Sequence, residues 1–264
     1  MLTEVKNQIK VSALSIKYAL EREMLNKFTF LSNIFFMILN NACFIIQWII
    51  LYSLKDDVGG YSFGQVLLLW GMAAFTYGIS RFFFKDAFEL VDIINKGKLD
   101  NYLIQPKNVL ISCITSSVEV SALGDIIYGF IMLFLFGMTI QNFFLFVLFG
   151  ICGGLTLASI SVIFSSFSFW FGRSEMICNT VNSLMTNFAT YPEGIFKGVI
   201  KILFYTLLPL AVTTYVPVSI ISHFKLSYLF YVIFGSLFFV FLAFFLFYRG
   251  LRKYSSTNLM NVRI

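Results

Sequence analysis

Repeated stretches of roughly twenty or more mainly apolar residues constrain this fold more than any other feature of the sequence. A helix needs about 20 such residues to cross the ~30 Å hydrocarbon core of a bilayer. Apolar residues make up 59% of the 264-residue chain, and Phe alone contributes 34 residues. The sequence therefore predicts an all-α polytopic membrane protein, surrounded by the lipid bilayer, rather than a water-soluble domain.

Seven apolar stretches follow one another, and six of them are predicted to cross the membrane. The third begins with a polar, interfacial half, so its true span is expected to start near residue 118. The six predicted spans cover residues 28–54, 61–84, 118–137, 143–171, 175–190 and 226–248.

The remaining apolar stretch is interrupted by prolines. Pro209 and Pro217 divide it into pieces too short to cross singly, and Pro192 lies at its entry. A proline frees backbone hydrogen-bonding groups that must be satisfied at membrane depth. We expect residues 192–225 to form a re-entrant cap on the outer face. An alternative, in which 175–190 is re-entrant and the broken stretch crosses, stays open.

The distribution of Lys and Arg predicts the orientation. Both ends of the chain are basic, so both termini are expected in the cytoplasm. With six spans, fifteen of the nineteen Lys and Arg residues lie on the inner side, and the alternative places seventeen there. The predicted organisation is an interfacial helix (1–27), one transmembrane domain (28–250) and a basic cytoplasmic tail (251–264).

The first 27 residues have the periodicity of an amphipathic helix. The spacing predicts a basic helix that lies in the plane of the membrane interface; a soluble coiled-coil arm is the alternative. One face carries the apolar residues Leu2, Val5, Ile9, Ala13, Ile16, Leu20 and Met24.

The long polar stretch at residues 81–107 separates the second and third spans. Phe84, Phe88, Val91 and Ile94 follow helical spacing, and a glycine then ends the periodic part. We expect a short amphipathic helix that presents its charged face to a soluble partner; a solvated loop with a surface helix is the alternative. The candidate contact residues are Lys85, Asp86, Glu89, Asp92, Lys96, Gly97 and Asp100.

A few polar residues lie inside predicted spans. Asp125 falls one to two turns inside the third span, where a charge is costly and tends to face the bundle interior or water. Asn179, Asn182 and Thr186 share one face of the fifth span. Both sets are candidates for a solute pathway or for the seam of a dimer. Hydrogen bonding between packed helices is the alternative for each.

Small residues recur every four positions in the fourth span. Gly150, Gly154 and Ala158 form a stripe that allows another helix to approach closely. This seam is expected to pack against a helix of the same chain or of a second copy.

The motifs of several other classes of protein do not occur. The sequence contains no phosphate-binding glycine loop, nucleophile elbow or zinc-binding motif. Its four cysteines are isolated from one another, so no metal site is predicted. The net charge of +6 follows from cytoplasmic loops and indicates no binding of nucleic acid. We expect no catalytic residue and no cofactor in this chain, so energy must come from elsewhere.

Several motifs resemble the permease subunits of bacterial type-2 ATP-binding-cassette exporters, in the group where two six-span permeases pair with a separate ATPase. The resemblance covers nearly the whole chain. In place of the arginine that usually precedes the proline of the first motif, this chain has Gln105. The motifs are GKLDNYLIQP (97–106), FWFGR (169–173), YPEGIF (191–196) and the proline-broken stretch that ends in YVPVSI.

The resemblance implies a role for each part. The segment 85–96 would be the coupling helix that contacts an ATPase, and 192–225 the cap that gates release. Two ATPase subunits would bind ATP and Mg²⁺, while a second permease, more typically a different chain than an identical one, would complete the solute pathway. The complex would lie in the bacterial cytoplasmic membrane.

Alternatives stay open for the substrate class and for the mechanism. An aromatic interior with few charges favours an amphipathic or hydrophobic solute such as a drug, lipid or peptide, as in multidrug efflux. One alternative is a self-contained secondary carrier that uses Asp125. Another is a membrane assembly subunit that transports nothing.

Overall fold

The computed structural model describes residues 2–172 and 174–255, and within these ranges it contains helices and no strand. A short 3₁₀ helix (Glu193–Ile195) precedes α11, and a π-helical turn (Ala211–Tyr215) precedes α12. The α-helices in chain order are α1 (Leu2–Glu23), α2 (Lys27–Leu54), α3 (Phe63–Phe88), α4 (Leu90–Asn95), α5 (Asp100–Leu103), α6 (Val109–Ile114), α7 (Ala122–Gly137), α8 (Ile140–Ser166), α9 (Ser168–Phe171), α10 (Glu175–Phe188), α11 (Val199–Thr206), α12 (Val216–Ser222) and α13 (Leu226–Leu251).

Four segments of the described chain are long and apolar enough to cross a membrane, which confirms an all-α polytopic membrane protein. They are α2, α3 with α4, α8 with α9, and α13. The bent pair α11 and α12 is a fifth candidate, and α7 is a shorter apolar helix. The third predicted span starts later than expected, at Ala122 rather than near residue 118. The reason is local, because residues 115–121 form a polar turn rather than helix.

The contacts of α3 define the directions of its neighbours. Phe75 packs against Gly150 and the Ser161 hydroxyl donates to the Ala87 carbonyl, so α3 and α8 are parallel. In contrast, α7 is antiparallel to α3, since it meets Gly71 late in its length and Gly78 near its start.

The remaining long helices alternate in the same way. On α2, Phe44 stacks on Trp70 and the later Tyr52 packs on the earlier Phe63, so α2 is antiparallel to α3. Cys178 and Asn182 of α10 approach Ser165 and Ser161 of α8 in reverse order. The hydroxyl of Ser236 on α13 donates to the Cys152 carbonyl, and Gly250 lies against Phe169, which makes α13 parallel to α8.

The segment between α10 and α13 begins and ends at one end of the bundle. At its start, Gly194 contacts the backbone of Gly59 in the α2–α3 loop. It then bends by 73° between α11 and the π-helical turn. Val212 of this turn contacts Gly235, which lies in the third turn of α13. Because α10 leads towards this end and α13 leads away from it, the segment enters the bundle and returns.

Small residues bring the central helices together. A Cβ on Gly150 would lie 2.1 Å from the ring of Phe75, and one on Gly154 would lie 2.6 Å from Ile79. Ala158, on the same stripe, is also buried. The predicted seam therefore packs against α3 of this chain, and no second copy is needed to explain it.

The first half of the N-terminal helix contacts the bundle through Gln8 and not through its apolar stripe, whereas Ile16 and Leu20, later in the stripe, pack against the bundle. Val5 and Ile9, on the stripe, are 52% and 65% exposed, whereas Gln8 is buried. The Gln8 amide donates to Ser112 Oγ at 3.2 Å, and its oxygen accepts from the Asn108 backbone N–H at 2.9 Å. An apolar face that the protein leaves uncovered is what an interfacial helix presents to lipid.

Candidate functional site

The candidate site has two parts, the charged segment after α3 and a central cavity. The charged segment is not the single helix that periodicity predicts. Phe84 has non-helical torsion angles within α3, and Glu89, with φ −103°, separates α3 from α4. The predicted end is confirmed, because Gly97 has φ +69° and the backbone N–H groups of Gly97 and Lys98 close onto Ile94 and Ile93.

The apolar side of α4 fixes the charged segment to the bundle. Its residues Leu90, Val91, Ile93 and Ile94 are all buried. The opposite side carries two pairs of charges one helical turn apart, Lys85 with Glu89 and Asp92 with Lys96.

The two charge pairs lie near the surface, with side-chain exposures from 31% to 56%. The hydrogen bond that Lys96 donates to Asp92 raises the pKa of the Lys96 amine above its ordinary value, so Lys96 keeps its charge. Asp100, predicted as part of the same contact, is the first residue of α5 and is half-buried. This surface, formed by Lys85, Glu89, Asp92 and Lys96, is named the charged ledge.

Asp86 does not belong to the charged ledge, and its predicted exposure is wrong. The residue is 7% exposed, and its carboxylate accepts hydrogen bonds from Ser116 Oγ at 2.5 Å and Ser117 Oγ at 2.7 Å. The break at Phe84 turns the end of α3, so that residue 86 faces the 115–121 turn instead of solvent. Tyr102 joins the network through Ser116, at 2.8 Å between the two oxygens.

A second polar contact joins α3 to the same turn. Arg81 and Glu119 form an ion pair at 3.2 Å, and the guanidinium lies over the Phe88 ring, 4.2 Å from its centroid. Two independent polar contacts thus connect the C-terminal end of α3 to the turn that leads into α7. The sequence contains these serines and charges, but their pairing across about thirty residues leaves no local periodic signal.

The central cavity has a volume of about 420 Å³ and lies between α2 and α10. The rings of Trp48 and Tyr191 meet at 5.9 Å between the ends of these two helices. The wall of the cavity also includes residues of α3, α7 and the π-helical turn. The size is that of a site for a drug-sized ligand.

Asp125 lines this cavity and is 4% exposed. One carboxylate oxygen accepts a hydrogen bond from the Asn41 side chain at 2.6 Å, and the other oxygen has no partner in the described chain. Asn41 was not predicted as a site residue, although an Asn–Asn pair within an apolar span is itself a visible signal.

The polar face predicted on α10 divides between two roles. Thr186 lines the cavity. Asn182 instead donates to Ser161 Oγ of α8 at 3.1 Å, which is a packing contact between helices. Asn179 is exposed on the outside of α10 and does not border the cavity. Of the three, the structure brings only Thr186 together with Asp125.

The middle of the proline-broken segment forms part of the cavity wall. Pro209 immediately precedes the π-helical turn, and Pro217 is the second residue of α12, where a missing N–H is tolerated. Thr213 and Thr214 of the π-helical turn border the cavity. Pro192 precedes the 3₁₀ helix that contacts the α2–α3 loop.

Two predicted features lie outside the described residues. Arg173 of the FWFGR motif and residues 256–264 of the basic tail are not described. Among the described residues, no three His, Cys, Asp or Glu side chains come together as metal ligands.

A helical membrane bundle with an internal cavity and a charged surface segment is the arrangement expected of a membrane transport subunit. The sequence profile of the ABC-2 family transporter protein matches residues 38–258, which is most of the chain. This protein belongs to that family and is a permease component of an ATP-binding-cassette transporter. No curated protein and no solved structure matches the chain.

Proposed function

We propose that this chain is the permease subunit of an exporter, forms the solute pathway with a second permease, and is driven by two separate ATPase subunits through the charged ledge. The second permease is more typically a different chain. Solute would leave the cell across the bacterial cytoplasmic membrane. Membership in the family supports association with an ATPase, because the family's permeases work with one.

The charged ledge is the observation that carries the proposal. Buried apolar residues of α4 hold it on the bundle, while Glu89 and Lys96 stay more than half exposed. A rigid, mixed-charge surface of this kind suits a protein partner, since charge complementarity supplies specificity and register.

A path for mechanical coupling leads from the charged ledge to the cavity. Displacement of the ledge moves the end of α3, and with it the Asp86 carboxylate that binds Ser116 and Ser117. These serines lie in the turn that continues into α7, where Asp125 borders the cavity. A state change at the ledge could thereby alter solute affinity, as a coupled transporter requires.

The alternating helix directions support six crossings with a re-entrant cap. Counting α2, α3, α7, α8, α10 and α13, each crossing helix reverses the one before it only if the α11–α12 segment returns to its own side. At about 24 and 21 Å, α7 and α10 are shorter than the hydrocarbon core, so flanking residues complete their crossings. Both termini are then on the side of the charged ledge, in the cytoplasm.

The test is co-purification with the ATP-binding-cassette ATPases of the source genome, co-expressed one at a time. The double variant Glu89→Lys with Asp92→Lys reverses the two acidic positions of the ledge and should abolish recovery of the ATPase and solute-stimulated hydrolysis. Asp57→Lys, in the α2–α3 loop at the other end of the bundle, is the matched control and should leave both unchanged. Unaltered coupling in the double variant would refute this contact.

The buried carboxylate favours one second candidate, a secondary carrier that uses Asp125. Such a carrier would transport solute in cells depleted of ATP and would lose transport in Asp125→Asn. Uptake and efflux measured before and after ATP depletion separate the two functions. Efflux that stops with ATP depletion supports the exporter.

A further inference from the structure

We propose that the cavity beside Asp125 binds an amphipathic organic cation, whose positive charge pairs with the free oxygen of Asp125 while its apolar part contacts the aromatic wall. This inference rests on the proposed permease function and narrows its substrate class. It follows from the partners of the carboxylate, from the charges and rings of the lining, and from the position of the cavity.

The free oxygen of Asp125 has no hydrogen-bond partner in the described chain. Asn41 occupies the other oxygen at 2.6 Å, and the other polar side chains that border the cavity are uncharged amides and hydroxyls. A buried carboxylate oxygen without a partner is unfavourable, and an incoming positive charge removes that cost. A carboxylate with one oxygen held and one free is thus arranged to receive a cation.

The lining contains no competing charge. Asp125 is the one Asp, Glu, Lys or Arg side chain among the described residues that border the cavity. Arg81, a basic group that does not border the cavity, is paired with Glu119. The cavity thus contains one acidic group and no basic group of its own, which selects against anionic solutes.

The aromatic wall specifies the rest of the ligand. Trp70, Phe44 and Tyr77 border the cavity, and the first two stack at 5.9 Å between ring centroids. Aromatic faces attract organic cations and bury apolar surface at the same time. An inorganic ion would leave these rings unused, and three carboxylate or imidazole ligands for a metal do not come together in the described chain.

The cavity lies where a transported solute must pass. Its walls include α2 and α10 on one side and the π-helical turn on the other, and this turn belongs to the segment that returns to the outer end. Thr213 and Thr214 border the cavity from the turn. Movement of that segment would open the site towards the outer end of the bundle.

The experiment measures binding of radiolabelled tetraphenylphosphonium to the purified full chain in phosphatidylcholine nanodiscs, with empty nanodiscs as the blank. Asp125→Asn keeps the oxygen that accepts from Asn41 and removes the charge, and should weaken the Kd at least tenfold. Asp57→Asn makes the same chemical change outside the cavity and should alter the Kd less than twofold. Tetraphenylborate, an anion of the same shape, should bind the native chain weakly and compete poorly.

Equal Kd values for the native chain and Asp125→Asn would overturn the proposal, as would no binding above the blank. If Asp125→Asn fails to give a monodisperse protein, Thr186→Cys provides the second measurement. Maleimide labelling of the peptide that contains residue 186, followed by mass spectrometry, should slow at least fivefold in tetraphenylphosphonium and remain unchanged in tetraphenylborate. Labelling that the phosphonium does not slow would also overturn the proposal.

Binding by the purified chain is measured without ATP, so its outcome is separable from that of the proposed function. If the chain binds the cation through Asp125 but recovers no ATPase, the proposed site stands and the proposed exporter function fails. If the chain couples to an ATPase but binds no cation, the exporter function stands and the proposed substrate class fails.

Discussion

Two aspartates six positions apart show how the surroundings of a residue decide whether its side chain is buried or exposed. Asp86 is buried and accepts two serine hydroxyls, whereas Asp92 forms a surface pair with Lys96. Both have the same side chain, and helical periodicity places both on the polar side of one predicted helix. The periodicity fails at Asp86 because the break at Phe84 rotates the chain there, and a single non-helical residue leaves no trace in hydrophobic spacing.

These aspartates give a matched pair of variants. Asp86→Ala removes the carboxylate that accepts hydrogen bonds from Ser116 and Ser117. It should lower the free energy of unfolding by about 1–3 kcal/mol, because both hydroxyls lose their partner. Asp92→Ala removes a surface pair within one helix, worth at most about 0.5 kcal/mol. Thermal unfolding of both variants in the same detergent checks the difference, and hydrogen exchange of residues 115–121 should rise only in Asp86→Ala. Equal melting temperatures would contradict the described network.

Two glycines, Gly150 of α8 and Gly64 of α3, give a second matched pair of variants. A Cβ on Gly150 would overlap the Phe75 ring at 2.1 Å, and Gly150→Ala should therefore destabilise the bundle by about 1–3 kcal/mol through strain between α3 and α8. A Cβ on Gly64 would meet nothing closer than 3.7 Å, so Gly64→Ala should be neutral or stabilising. Melting temperatures measured side by side check this, and a stable Gly150→Ala would show that the helices can separate at no cost.

At the scale of elements, the sequence predicts the helices better than their faces. The four-residue spacing of Gly150, Gly154 and Ala158 correctly predicts a close helix contact, because small residues have no other common reason to recur so regularly within a span. The stripe of α1 is also predicted, but the way in which the helix contacts the bundle is not. In the second half of α1, Ile16 and Leu20 of the stripe pack against the bundle. The first half is instead held by Gln8, whose partners lie about 100 residues away in the chain.

Gln8 therefore allows the attachment of α1 to be tested. Gln8→Ala removes the acceptor of the Asn108 N–H and the donor to Ser112, and α1 should leave the bundle more often. Hydrogen exchange of α1 amides should then increase, since local opening controls exchange. Asn7→Ala, at the exposed neighbouring position, is the control. Exchange rates that rise equally in both variants would mean that Gln8 does not anchor the helix.

For the whole molecule, charge and hydropathy predict the class of protein but leave two topologies. The counts of Lys and Arg on the inner side differ by only two between them, because the disputed segments carry few charges. Long-range contacts distinguish the topologies where composition cannot. The approach of Gly194 to Gly59 and the antiparallel packing of α10 on α8 both favour a crossing α10 and a returning α11–α12 segment.

Cysteine labelling in intact cells tests this topology directly, with the native chain as the blank. Asp57→Cys in the α2–α3 loop and Lys197→Cys, at an exposed position between α10 and α11, should both react with a membrane-impermeant maleimide, because both lie at the outer end of the bundle. Lys98→Cys, beside the charged ledge, should react only after the cells are permeabilised. Residues 57 and 197 are the discriminating pair, since a re-entrant α10 followed by a crossing α11–α12 segment would place them on opposite sides. Labelling of Lys197→Cys only after permeabilisation would therefore make the α11–α12 segment a true span, and the returning path to the cavity would have to be abandoned.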